Sequence, residues 1–202
     1  MQSQKQVWNS IAEEWNKFKK IPDPKVADFV AKAKGNLLDL GCGSGRNFTK
    51  TEAIIYGIDF SEKMIQLAGK KAKELKIKHY MIIQDIHSGK LPFEDNFIDK
   101  AICIATLHCI KGKTNRQKIL KELHRIIKPK AQLLIKVWNK NNKKFKNKTK
   151  EKLINWQDKG ARYYYFYEEK ELLKELKQAK FNILNINSKD FEKQEIIILA
   201  EK

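Results

Sequence analysis

Apolar and polar positions alternate along this chain with two different periods, and each change of period marks an element. Short apolar runs recur as "NLLDL" (36–40), "AIIYGID" (53–59), "HYMIIQD" (79–85), "FIDKAICIA" (97–105), "AQLLIKVW" (131–138), "FNILNINS" (181–188) and "QEIIILAE" (194–201). Runs of this length and composition predict strands buried in a sheet. Between them the apolar positions take helical spacing. Val7, Trp8, Ile11, Trp15 and Phe18 mark an amphipathic helix before the first strand. Ser61 is placed to cap "EKMIQLAGKKAKEL" and Thr114 to cap "NRQKILKELHRII", with Pro129 as a stop signal, while "EEKELLKELKQA" precedes the sixth strand. Strands alternating with helices predict an α/β fold built on a seven-stranded, mostly parallel, doubly wound sheet. The turn around Ser188 to Glu192 is too short for a parallel crossover, so the last two strands are expected to form a C-terminal antiparallel hairpin.

Composition narrows the setting. The chain has 202 residues, 42% of them hydrophobic and 33% charged, which fits a single domain over 1–202. No apolar run has the length of a membrane span, and "MQSQKQVWNS" lacks the apolar segment of a secretory signal. Cys42, Cys103 and Cys109 form no CxxC pair, so neither a metal site nor a disulfide framework is indicated, and a cytoplasmic location is expected. The net charge of +18 favours a polyanionic partner such as RNA, DNA or a lipid surface. Nearly all of that charge is lysine, which AT-rich coding also produces, so Arg46, Arg116, Arg125 and Arg162 point more sharply than any lysine. The segment "NKNNKKFKNKTKEK" (139–152), with Phe145 inside it and Trp156 beyond, has two readings: a track for phosphates or a solvated loop.

The candidate chemistry begins at "LLDLGCGSGRNF". Gly41, Gly43 and Gly45 follow the first strand, where missing side chains let the backbone turn tightly against a ligand. The next strand ends in Asp59, at the spacing from which an acid accepts hydrogen bonds from ribose hydroxyls. A nucleoside-bearing cofactor is implied. NAD is disfavoured, because Arg46 stands where the third glycine of its fingerprint would fall.

"DLGCGSG", "GIDFSEKMIQLA", "QDIHSGKLPFEDNFID" and "LHRIIKPKAQLLIKVW" together resemble the successive motifs of class I S-adenosylmethionine-dependent methyltransferases, which have a Rossmann-like fold. The resemblance implies Asp39, Gly41, Gly43 and Gly45 under the methionine moiety of S-adenosylmethionine and Asp59 at the ribose. Phe60 would lie against the adenine, Asp85 and the backbone of Ile86 would read its edge, and the backbone around Ala105 would face the cofactor's amino group. Where that family has Lys-Pro-Gly-Gly, this chain has Lys128-Pro129-Lys130-Ala131, so the turn is expected to avoid positive backbone angles.

Four further stretches resemble the tRNA wobble-uridine (5-carboxymethyluridine) carboxyl methyltransferases: "VWNSIAEEWNKFKKIPDP", "IATLHCI", "LLIKVW" and "ARYYYFYEEKEL". That resemblance implies methyl esterification of a carboxymethyl group on tRNA, with Arg162 at the substrate's carboxylate or a neighbouring phosphate. His108 serves there as a base, a hydrogen-bond donor or a stacking ring. Substrate contacts are expected from Lys19, from Trp138, and from Tyr163 or Tyr164 beside the base, while Tyr165, Phe166 and Tyr167 anchor the segment. Residues 1–34 would form N-terminal helices that cover cofactor and substrate, and 139–167 a substrate-side insertion. A small zinc-containing activator subunit is the implied protein partner, docking on the "HYMIIQD" edge, with no membrane partner. The alternative is a methyltransferase acting on a small quinone, lipid or amine precursor, because the cofactor motifs are common to both.

Overall fold

The computed structural model describes residues 2–143, 145, 149–186 and 195–202. Seven strands form the central sheet: β1 Asn36–Leu40, β2 Ile54–Asp59, β3 His79–Ile83, β4 Ile98–Ile104, β5 Ile127–Trp138, β8 Asn182–Ile186 and β9 Glu195–Glu201. Their order is β3-β2-β1-β4-β5-β9-β8. The first five are parallel, and β9 runs antiparallel to both β5 and β8, as expected of the C-terminal hairpin. The turn assigned to Ser188–Glu192 lies outside the described residues.

The strands read as apolar runs because helices cover both faces of the sheet. Within β1, Leu37 packs on one side with Val26, Val30, Ile65 and Ala68, from α2 Pro24–Ala31 and α3 Glu62–Glu74. Leu38 and Leu40 pack on the other with Leu120 and Leu123 of α4 Lys113–Ile126 and Leu172 of α5 Glu169–Gln178. The chain winds outward from β1 to β3 and then crosses back to β4, so strand order reverses between β1 and β4. In open α/β sheets a crevice opens at that reversal, beyond the carboxyl ends of the strands.

Ser61 caps α3 as the sequence predicts. Its hydroxyl accepts from the Met64 N–H at 3.2 Å and donates to Asn9 Oδ1 at 2.6 Å, on α1 Gln4–Phe18. Ser61→Ala is therefore expected to lower stability by about 1–2 kcal/mol in urea denaturation, by losing a helix cap and the tie to α1 together.

Three expectations need correction. α4 begins at Lys113 behind Gly112, whose φ of 87° suits glycine, so Thr114 lies inside the first turn and caps nothing. Pro129 does not merely follow the helix; it stands within β5, which starts at Ile127. Lys130 adopts a φ of 64°, the angle it was expected to avoid, and its N–H donates to the Lys202 carbonyl at 3.0 Å.

The seven-stranded sheet is as expected, but among the described residues two further strands lie outside it. β6 Glu151–Asn155 and β7 Ala161–Tyr165 form a separate antiparallel pair beside the sheet, so "ARYYY" is a strand. Its side chains part by parity. Tyr164 and then Phe166 turn toward Trp138, with Tyr164 stacked on it at 4.3 Å, and Arg162 on the same side turns toward Trp8, Trp15 and Trp156. Tyr163, Tyr165 and Tyr167 turn the other way, toward Arg116 and α5. There Arg116, 2% exposed, lies over the Tyr165 ring, and the Tyr167 hydroxyl donates to buried Glu175.

Candidate active site

A cleft partly open to solvent lies beyond the carboxyl ends of β1, β2 and β4. Gly41 and Gly43 form part of its floor. A Cβ on Gly41 would overlap Thr106, whose hydroxyl donates to the Gly41 carbonyl at 3.2 Å and ties the ends of β1 and β4 together. Gly43 has a φ of 54°, and a Cβ there would meet nothing nearer than the Met64 sulfur at 4.0 Å. The bare backbone is thus offered to a ligand. Gly45 does not line the cleft; its face is filled by Phe48 and Ala68.

Asp59 fixes this turn. Its carboxylate accepts from the Gly43 N–H at 3.0 Å and the Ser61 N–H at 2.9 Å, while burial raises its pKa to about 6. Two oxygens with roughly four lone-pair sites accept more than two bonds, which leaves capacity for a ligand's hydroxyls. Phe60, Asp85, Ile86 and Ala105 all line the same cleft. Asp85 accepts from the His87 N–H at 2.9 Å and sits 2.6 Å from its ring nitrogen. Ala105 has a φ of 58°, uncommon for a residue with a side chain, at the point where β4 leaves the sheet.

Asp39 lies below this floor, 1% exposed, and does not line the cleft. Its Oδ1 has no partner among the described residues, its Oδ2 accepts from Asn47 at 3.5 Å, and burial lifts its pKa to about 7. Asn47 borders the cleft with its own Oδ1 unpartnered. Two buried acceptors without donors, a glycine floor and Asp59 suit a cationic, ribose-bearing ligand. The fit to S-adenosylmethionine holds.

The wall opposite comes from α1, within the 1–34 cover that the resemblance implies, though that resemblance does not single out its lining residues as cofactor contacts. Gln4, Trp8 and Trp15 of α1 line the cleft, as do Cys42, Arg46, His87 and Cys109. The helical spacing of Trp8 and Trp15 signals only an apolar face, which serves a core and a ligand cover alike. α1 is strapped across the cleft at both sides. Asn9 donates to Glu62 and accepts from Ser61, and Lys5 pairs with Glu62. On the other side the Gln4 amide bonds both the Ala161 carbonyl and the Tyr163 N–H, as a neighbouring strand would.

Arg162 and His108 do not line the cleft; they belong to a compartment filled by aromatic side chains, with Tyr164 between them and Trp8 and Trp15 on the cleft side of Arg162. Arg162 is 5% exposed. Its guanidinium stands 4.9 Å from the Trp156 ring, 5.2 Å from Trp15 and 5.7 Å from Trp8, and donates to the Tyr164 hydroxyl at 2.7 Å. Its Nε has no partner, and no carboxylate pairs with it among the described residues. His108 Nδ1 accepts from the Trp138 N–H at 3.0 Å, so its proton sits on Nε2, buried and unpartnered. Burial, then Lys136, pushes its pKa down to about 3. The imidazole is therefore a neutral donor with its acceptor nitrogen already engaged, and the base role is the least compatible with this geometry. Imidazole carbon shifts of His108 are expected to stay flat from pH 5 to 8 in NMR titration.

Trp138 and Tyr164 belong to this second compartment, whereas Tyr163 faces away from it, which corrects its assignment beside the base. Lys19 ends α1 outside both spaces. Partial burial and neighbouring Arg46 lower its pKa, and its ammonium stands 4.9 Å from the Phe18 ring.

The profile of a methyltransferase domain matches residues 38–135, which span β1 to β5 and the whole glycine and acid set. Residues 38–135 thus carry a methyltransferase domain, on the class I S-adenosylmethionine-dependent methyltransferase fold. Among curated proteins the domain is 30% identical to a tRNA (carboxymethyluridine(34)-5-O)-methyltransferase of Arabidopsis thaliana, over 65% of this chain and 31% of the relative. It is 31% identical to the demethylmenaquinone methyltransferase of Tropheryma whipplei, over 49% of this chain and 40% of the relative. The chain thus spans less than half the length of either. Among solved structures, the complex between the Haloferax volcanii Trm112 methyltransferase activator and a putative methyltransferase superposes with a TM-score of 0.71. The identity is 15%, over 98% of this chain and 96% of that one.

Proposed function

We propose that the chain methylates the carboxylate of a carboxymethyl group on a tRNA wobble uridine. The observation that carries this reading is the Arg162 cage: a buried guanidinium with no carboxylate partner among the described residues, held by aromatic rings beside the cofactor cleft. Burying a cation without a counter-ion costs several kcal/mol, and a substrate carboxylate would relieve that cost. The name of the Arabidopsis relative supports the choice of carboxylate.

When bound, S-adenosylmethionine supplies an electrophilic methyl group. Asp59, the Gly41–Gly43 backbone and Phe60 would hold it. A carboxylate with a reference pKa of about 4 is ionised at neutral pH and needs no base. What it needs is orientation, and this chain offers the Arg162 guanidinium and the His108 Nε2–H. Trp8 and Trp15 exclude water from both compartments. Residues 1–34 act here as the cover and 139–167 as the substrate-side insertion.

The activator reading rests on β3, which among the described residues is an edge strand paired with β2 alone and exposes Tyr80 and Ile83. A small zinc-containing subunit would add there, in keeping with the activator complex of the Haloferax protein. Full activity of the isolated chain as a stable monomer would remove this partner.

The deciding experiment is incubation with methyl-labelled cofactor and bulk tRNA, followed by mild alkali. Release of the label identifies an ester. Label that resists alkali, or tRNA without label, would overturn the proposal. The demethylmenaquinone relative favours a second reading, a small quinone substrate, and label found in a quinone extract would establish it.

A further inference from the structure

The C-terminal end of α1 carries a surface used by neither core nor cleft. Phe18 is 64% exposed and Ile21 is 84% exposed. Lysines flank them at positions 17, 19 and 20. One edge of the Phe18 ring rests against Trp156 at 5.6 Å and Trp15 at 6.3 Å. Both tryptophans in turn stand on Arg162. An aromatic column therefore runs from solvent to the buried guanidinium, and over its exposed outermost ring stands the flexible Lys19 ammonium, 4.9 Å from the centroid.

The charge around this end is positive in effect as well as in count. Glu14 is engaged by Trp156 and Lys159, and Asp23 by Lys136. A protein partner or a folded core normally asks for a wider apolar patch than two side chains. One exposed aromatic face amid lysines is the arrangement that binds single-stranded nucleic acid, the ring taking a base and the ammoniums the phosphates.

We propose that Phe18 is a stacking platform for an unpaired RNA base next to the modified nucleotide, with Lys17 and Lys20 at the adjoining phosphates. The proposal rests on the RNA reading above and adds to it the place where the loop outside the pocket is gripped. Stacking there would aim the neighbouring nucleotide along the column toward Arg162.

The test uses an anticodon stem-loop RNA carrying 2-aminopurine beside the target uridine, titrated with the whole chain. The wild type is expected to quench the fluorophore, and Phe18→Ala to lose most of that quenching while binding about tenfold more weakly. Phe18→Trp should restore both, and all three proteins should bind S-adenosylmethionine alike in calorimetry. If the wild type methylates tRNA but Phe18→Ala binds and quenches as the wild type does, the platform falls and the RNA reading stands. If the wild type neither binds nor methylates RNA, both fall. Failure of Phe18→Trp to restore binding would also overturn the platform. So would a Phe18→Ala effect confined to self-association or to co-sedimentation with anionic vesicles, which would give this surface to protein or lipid.

Discussion

Replacing Arg162 by methionine is expected to lower kcat/KM for tRNA by about 100-fold or more while cofactor affinity changes less than about twofold, because truncating one side of a buried charge pair costs 2–5 kcal/mol. Methionine fills the space between Trp8, Trp15 and Trp156 without bringing a charge. A structural arginine and a substrate-binding arginine then predict opposite stabilities. Arg162 has a hydrogen bond to Tyr164 but no carboxylate partner among the described residues. Exchange of such a cation for an apolar side chain should leave the melting temperature equal or higher. Methyl-transfer kinetics on tRNA, isothermal titration with S-adenosylmethionine and a thermal melt decide the matter together. Parallel loss of stability, cofactor binding and turnover would make Arg162 a structural residue only.

Asp39→Asn should separate stability from cofactor binding in the other direction. In the unfolded chain this carboxyl loses its proton near its ordinary value of 3.8, whereas in the folded chain burial holds the proton to about 7. The folded state therefore binds more protons between those values. Stability is full below the unfolded value and falls as pH rises through the folded one, by on the order of 4 kcal/mol. Asparagine removes the charge but not the shape. The variant should match the wild type in melting temperature near pH 4 and exceed it progressively up to pH 8. At the same time S-adenosylmethionine binding should weaken about tenfold, because Asn47 would face a neutral amide in place of an anion. Melts across pH with calorimetry at pH 8 check both halves; a stability gain that does not vary with pH would mean that Asp39 ionises normally in the fold.

The central sheet was legible because its strands are buried on two faces, so their apolar runs stand out against lysine-rich helices. β6 and β7 were not, since "EKLIN" has exposed polar positions and "ARYYY" has no apolar–polar alternation to announce a strand. Deciding between Tyr163 and Tyr164 required the parity of that strand, which its pairing with β6 fixes and its composition does not. The floor of the cleft was read from glycines and acids whose chemistry is local to the turn. Its wall was legible only as a cover by residues 1–34; that Trp8 and Trp15 face both the cleft and Arg162 depends on tertiary packing. Thr114 failed as a cap for a similar reason: a glycine able to reach φ 87° two residues earlier took the position first.

The straps on α1 have a mechanical meaning. One helix is fastened beside Asp59 through Ser61 and Glu62, and along β7 through Gln4, so the cofactor cleft and the Arg162 cage share one wall. A substitution that loosened either strap would therefore be felt on both sides of that wall at once.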